Sequence, residues 1–172
     1  MMSPSSTSTG LRILVADLVK RPGSARSVVL DEPVDGLVVA GSRVAADDPV
    51  HLELDLERIL EGLVVRGTVE ARWAGACARC VQPVAGSVVV AVDELFERDP
   101  VEGETYQLAH DTIDLEPLVR DTILLELPQA PLCRPDCAGL CPTCGVDRND
   151  TECECTDDDL DPRWAALRSL EL

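Results

Sequence analysis

The residues of this chain most able to do chemistry are its eight cysteines, which are spaced so that short turns could bring their sulfurs together. Six fall in one stretch, Cys133-Arg-Pro-Asp-Cys137-Ala-Gly-Leu-Cys141-Pro-Thr-Cys144-Gly145, followed by Cys153-Glu-Cys155. The other two form the loop Cys77-Ala-Arg-Cys80. Two thiolates separated by two residues in a tight turn can both reach one ion. A glycine directly after the second, as at Gly145, permits the positive φ that such a knuckle often needs.

A closed structural zinc site takes four protein ligands, so eight cysteines suit two zinc ions with four thiolates each. One partition joins Cys77 and Cys80 to Cys133 and Cys137, and Cys141 and Cys144 to Cys153 and Cys155. The other puts Cys133, Cys137, Cys141 and Cys144 on one ion and leaves the Cys77 loop to meet Cys153 and Cys155. Spacing alone leaves both open. Redox thiols and an iron-sulfur cluster are the competing chemistries. Cys137-x3-Cys141-x2-Cys144 has the spacing of the radical-SAM cluster motif, but Thr143 stands where that motif has an aromatic residue. A thioredoxin-like role for Cys77-x2-Cys80 is disfavoured because the pair follows a hairpin strand instead of opening a helix. Arg79, Arg134 and Arg148 lie inside or beside the cysteine loops, where guanidinium groups would offset a dianionic four-thiolate centre or offer a basic spot to RNA phosphate.

The elements that must position these thiols can be read from periodicity. Val50, Leu52, Leu54 and Leu56 alternate with His51, Glu53, Asp55 and Glu57, the period of a half-buried strand. Glu61-Gly62 can turn the chain into a second strand, with Leu63, Val65, Val69, Ala71 and Trp73 on one face and Arg66, Thr68, Glu70 and Arg72 on the other. Cys77 and Cys80 follow at its end, and 84–96 forms a further strand. Short apolar runs at 11–15 and 28–30 predict strands flanking a short helix or turn, with another possible strand at 37–40. Residues 97–110 read as a polar connection. Asp114 then offers an N-cap to a helix near 114–127, with Pro117 in its first turn. Asp161-Pro162 opens a short terminal helix carrying Trp164, Leu167 and Leu170.

The expected architecture is α+β. An antiparallel sheet or open barrel-like core spans 11–131 with one packed helix, residues 1–10 form a disordered tail, and 132–172 form a zinc-bound, cysteine-rich tail ending in the short helix. With 45% hydrophobic but only 2% aromatic residues, Val, Leu and Ala must fill the core. The formal charge of -17 disfavours a protein that tracks phosphates along nucleic acid. Two dianionic metal centres would bring the charge to about -21. Basic protein partners suit it better. The N-terminal residues lack signal-peptide features, and no run approaches transmembrane length, so the expected location is the cytoplasm, with no membrane partner.

Asp136-Cys137-Ala-Gly-Leu-Cys141-Pro-Thr-Cys144-Gly145, then Cys153-Glu-Cys155, then Asp161-Pro162-Arg163 with Leu167 and Leu170, resemble the YceD family of large ribosomal RNA subunit accumulation proteins, in the form carrying the full cysteine tail. The match extends back through Cys77-Ala-Arg-Cys80-Val81, Asp93-Glu94-Leu95-Phe96 and Arg21-Pro22-Gly23. One departure lies after the last knuckle, where the family has Asn-Leu-Asn and this chain has Asp147-Arg148-Asn149. The resemblance implies a role in synthesis, processing or stability of large-subunit ribosomal RNA. The acidity adds that a basic ribosomal protein or an assembling large-subunit particle is a better partner than naked RNA, though direct RNA contact stays open.

No nucleophile-and-base pattern, P-loop or zincin helix is present, and His51 and His110 read as solvated. A non-enzymatic factor without a small-molecule substrate is therefore expected. The alternatives are a zinc- or thiol-responsive regulatory protein and a zinc-dependent hydrolase. The hydrolase would need an ion with an open coordination position.

Overall fold

A computed structural model of the protein describes residues 9–155. The tail expected over 1–10 lies almost wholly outside the described residues, as does the terminal helix expected from Asp161. After a single 3-10 turn at Thr9–Leu11 come β1 (Arg12–Leu14), α1 (Ala16–Val19), β2 (Ala25–Pro33), β3 (Ser42–Arg43), β4 (Pro49–Arg58), β5 (Leu63–Ala76), β6 (Pro83–Glu97), β7 (Tyr106–Ala109), β8 (Thr112–Asp114) and α2 (Glu116–Glu126). The strands form one sheet in the order β1-β8-β7-β6-β5-β4-β2, with β3 added on β5.

The sheet is mixed, which corrects the antiparallel expectation: β7 runs parallel to β6 through Phe96 opposite Tyr106 and Glu97 opposite Gln107. The connection over 97–110 is long enough to bring the chain back in the same direction as β6. The segment expected as a polar connection therefore supplies β7, where Leu108 is buried. Phe96 and Tyr106 stack with ring centroids 5.1 Å apart, and the Tyr106 hydroxyl donates to Asp121 Oδ2 of α2 at 3.2 Å. Burial first, then the nearby Asp121 carboxylate, pushes the Tyr106 phenol up to about 12, so it stays a donor at neutral pH.

Alternation fixes the register of the central strands. β4 pairs with β5 from His51 opposite Glu70 to Arg58 opposite Leu63, placing Val50, Leu52, Leu54 and Leu56 in the core and Glu53, Asp55 and Glu57 outside. The turn between them is closed by Ile59 N–H donating to Gly62 O at 3.1 Å. β5 and β6 then pair over their whole length, from Leu63 opposite Phe96 to Ala76 opposite Pro83. Near the far end Trp73 lies over Gly86, where a Cβ would come within 3.0 Å of the indole. The strand expected at 37–40 is instead a turn, with Val39 N–H donating to Ser42 O at 2.9 Å and only an isolated bridge from Val38 to Arg43. Leu37 is nonetheless fully buried, which accounts for the apolar run.

The sheet curls into a half-barrel around one core cluster. α2 packs into the cluster through Leu118, Val119 and Ile123. The N-cap position of α2 is Leu115, one residue later than the expected Asp114, which ends β8 and whose carboxylate accepts the Glu116 N–H at 3.0 Å. β1 and β2, the two ends of the strand order, are joined by a side chain. Arg26 Nη2 on β2 donates to Leu14 O at 2.9 Å, and its Nη1 lies 3.3 Å from Asp17.

Gly67 shows how closely β4 and β5 approach. It has φ +149°, and a Cβ there would lie 2.0 Å from Glu53 O, inside the ladder between Leu54 and Val92. Gly67→Ala is expected to lower the unfolding free energy by more than about 2 kcal/mol in a denaturant titration, because the clash is with backbone that cannot turn aside. An unchanged midpoint would show that the strands separate more readily than this geometry allows.

Candidate metal centre

Four segments carry the eight thiols to one end of the sheet. Cys77 and Cys80 form the tip of the β5–β6 hairpin, closed by Cys77 N–H donating to Gln82 O at 2.8 Å. α2 ends at Glu126; two residues on, the Pro128 carbonyl accepts the Ser42 hydroxyl at 2.9 Å, and the chain then runs beside Gly41. A Cβ at Gly41 would lie 2.3 Å from Gln129 O, so glycine is what lets this strap sit down. Two residues on, Pro131 O accepts the Ala78 N–H at 2.8 Å, and this bond sets Cys133 opposite the hairpin tip.

Cys77, Cys80, Cys133 and Cys137 form one group, and Cys141, Cys144, Cys153 and Cys155 form another, with the four sulfurs of each lying within 4.8 Å of one another. In the first, Cys77 Sγ is 3.8 Å from Cys137 Sγ, and Cys80 Sγ is 3.6 Å from Cys133 Sγ. Disulfides would need about 2.05 Å. Four sulfurs in a tetrahedron about 2.3 Å from one ion stand about 3.8 Å apart. Both groups could therefore hold a metal ion, and both are compatible with zinc. The grouping is the first of the two partitions open to the sequence. It also splits Cys137 from Cys141 and Cys144, so the spacing shared with the radical-SAM motif does not act as a unit.

The two knuckles have the same backbone. Val81 N–H donates to Cys77 O and Gly145 N–H to Cys141 O, each at 2.9 Å, and both residues sit at positive φ, 63° and 75°. At Gly145 this matches the expectation. At Val81, a β-branched residue pays for the same turn with torsional strain. The first cysteine of each turn sits under backbone N–H groups. Those of Cys80, then Cys133 and Arg79, lower the Cys77 thiol to about 6, and those of Cys144 and Thr143 lower Cys141 to about 5. Each group also contains a thiol that resists ionisation: Cys133 is raised to about 12, first by burial of its sulfur among the others, and Cys155 to about 12, first by the bond with Cys144.

The three arginines are placed differently from one another. Arg79 Nη1 donates to Cys137 O at 2.8 Å, and its own carbonyl accepts the Leu140 N–H at 3.0 Å. Arg134 reaches Asn149 Oδ1 at 2.6 Å and Asp136 at 3.5 Å. Arg148 approaches a sulfur directly, with Nη2 3.7 Å from Cys141 Sγ. The side chain that sequence reasoning passed over is Asn149, whose Nδ2 lies 3.3 Å from Cys137 Sγ. Its position inside the loop between Cys144 and Cys153 was the available signal. Both ring nitrogens of His51 are taken up by carboxylates, Asp31 at 2.8 Å and Glu53 at 3.3 Å, and these bonds, Asp31 foremost, raise its pKa.

The knuckle comparison yields a paired test. Val81→Gly relieves the strained φ and is expected to stabilise the chain by up to about 1 kcal/mol, whereas Gly145→Val, with nothing within 4 Å of the added Cβ, is expected to cost about 1–2 kcal/mol from torsion alone. Denaturant titration of both variants should give opposite signs; equal signs would rule out torsion as the cause.

The profile of the family described as "Large ribosomal RNA subunit accumulation protein YceD" matches residues 65–171, a span containing all eight cysteines. An uncharacterized protein of Mycobacterium tuberculosis is 42% identical over 163 residues, covering 89% of this chain and 77% of that one. A maize protein named large ribosomal RNA subunit accumulation protein YCED homolog 1, chloroplastic, is 26% identical over 183 residues, covering 86% of this chain and 62% of its own length. The uncharacterized protein YlbN of Bacillus subtilis is 31% identical over 108 residues, 60% of this chain and 63% of that one. No solved structure matches. Among the described residues no helix is long and apolar enough to cross a membrane. With the profile covering more than half its length and every candidate ligand, the chain belongs to the YceD family, whose description ties it to accumulation of large-subunit ribosomal RNA.

Proposed function

We propose that the chain is a non-enzymatic, cytoplasmic factor for large-subunit ribosome biogenesis. In this reading two structural zinc ions, each held by four thiolates, brace the surface that binds a ribosomal protein or an assembling particle. The observation that carries the reading is the pair of four-thiol groups at one end of the sheet. With four sulfurs on each ion, no coordination position is left for the water a hydrolase would activate. Sulfurs within 4.8 Å of one another leave no room for a multi-iron cluster between them, which favours a single ion. The family supplies the process, and the chain's acidity supplies the partner class. Asp31, Glu53, Asp55 and Glu57 are all exposed on one face of β2 and β4, where a basic protein would meet them with less cost than a phosphate backbone would.

Metal analysis of the chain purified without chelator is expected to give two zinc ions per chain. Less than one, or visible iron-sulfur absorbance, would end the zinc reading. Binding should also be pH-dependent. Cys133 and Cys155, at about 12, carry protons at neutral pH in the metal-free chain, so each group must release at least one proton to bind an ion. Zinc affinity measured against a competing chelator is therefore expected to rise at least about tenfold per site for each pH unit gained between about pH 6 and 8, and to fall as acid is added. A flat profile would contradict it.

The biological test is the ribosome profile of cells depleted of the protein, with the same cells complemented as control. The expected outcome is a specific shortage of large subunits accompanied by precursor or degraded large-subunit RNA. A normal profile would remove the assembly role.

A further inference from the structure

Asn149 belongs by sequence to the second thiol group and by contact to the first. The loop that carries it leaves the second knuckle at Gly145 and returns to Cys153. It is folded back by Cys141 N–H donating to Val146 O at 2.8 Å, Arg148 N–H to Gly139 O at 2.9 Å and Thr151 N–H to Asp147 O at 3.0 Å. Asp147 Oδ1 accepts both the Asn149 N–H at 2.9 Å and its Nδ2 at 2.6 Å. The orientation of the Asn149 amide is dictated by its neighbours. Its oxygen faces two groups that can only donate, Ala138 N–H at 2.8 Å and Arg134 Nη2 at 2.6 Å, so its nitrogen must face Cys137 Sγ, at 3.3 Å. Cys137 is buried, so no water competes for that bond. A thiolate that accepts an N–H is a weaker base and a better-oriented ligand, and such outer partners govern how long a metal is retained.

We propose that Asn149 is a positioning residue for the first thiol group, and that through it the first group's hold on a metal ion depends on the second group being filled. The inference rests on the metal reading given above. The ligands of the second group lie within fifteen residues of sequence, Cys141 to Cys155, whereas the first joins partners separated by 53 and 60. The fold itself closes those longer separations, through Ser42 to Pro128 and Ala78 to Pro131. An ion on the second group would shape the 145–153 loop and present Asn149 to Cys137. By linkage, an ion on the first group strengthens the second by the same factor.

The test uses the full chain loaded with cadmium-113. Its NMR spectrum gives one resonance per four-thiolate ion, assigned by Cys80→Ser and Cys155→Ser. In Asn149→Ala, the resonance of the first group is expected to shift, and that ion to pass to a chelator about tenfold faster or more, while the second group changes less than about twofold. Asn149→Asp keeps the shape and the acceptor oxygen but loses the N–H. Combined with Asp147→Asn, so that the turn bond is restored, it should still release the first ion fast. Cys155→Ser, which empties the second group, should speed loss from the first about as much, and adding Asn149→Ala to it should change little further. The proposal is overturned if Asn149→Ala weakens the second group alone or both groups equally, since either marks a local turn role. It is overturned as well if the Asp147→Asn, Asn149→Asp pair behaves as wild type. A wild-type chain lacking these resonances would instead overturn the metal reading itself.

Discussion

Two stretches of chain more than fifty residues apart must meet sulfur to sulfur at the tip of one hairpin, and most of the architecture can be understood as what makes that meeting geometrically determined. The long β5–β6 ladder is a rigid arm that fixes where Cys77 and Cys80 stand. α2, anchored on the core by Leu118, Val119 and Ile123, fixes where the returning chain begins. Between them the strap through Pro128 and Pro131 has little freedom, because it is bound to Ser42 and Ala78 and seated in the space left by Gly41. Prolines restrict the unfolded strap as well, so less entropy is lost on ordering it. A core nearly without aromatic residues can support this because the anchoring contacts are spread over many Val and Leu side chains instead of a few large ones.

The two thiol groups are variations on one device with different structural duties. Each contains a turn whose backbone amides stabilise the first thiolate, and each brings in sulfur from further along the chain. The first group joins tail to sheet, and the second organises the tail's own loop. Because Arg79 donates to the Cys137 carbonyl and accepts from the Leu140 N–H, the tail is tied to the hairpin by hydrogen bonds as well as by the nearness of the thiols, while Asn149 ties the tail's second loop to its first. Around the thiols the polar groups bond to one another, as Asn149 does with Arg134, Ala138 and Asp147, and on the sheet the outer face of β2 and β4 exposes Asp31, Glu53, Asp55 and Glu57.

Legibility in the sequence followed the physics of each signal. The β4 alternation and the Glu61-Gly62 turn were readable because both depend on local periodicity, and the cysteine spacing was readable because few other uses of Cys-x2-Cys fit. β7 and β8 were not, since they are three or four residues long and β7 is held by a parallel pairing that no local pattern announces. Leu37 misled as a strand residue because burial, not extension, was the reason for its apolarity. Within the site, the choice between two partitions of the thiols depended on where α2 delivers the chain, a tertiary fact. The positive φ of Val81 was hidden because only glycine advertises that conformation in a sequence. Asn149 was hidden because its partner, Cys137, belongs to a different group from the cysteines that flank it.

The side-chain join between β1 and β2 has a mechanical meaning. Every other neighbouring pair along the strand order shares a ladder of backbone bonds, but this seam is spanned by the Arg26 guanidinium reaching Leu14 and Asp17. A curled sheet laced at one edge can spread there while its ladders stay whole. An opening along this seam would break the Arg26 contacts and the packing of Leu11, Val15 and Leu18 but no ladder, and the hairpin arm that carries the thiols would keep its shape.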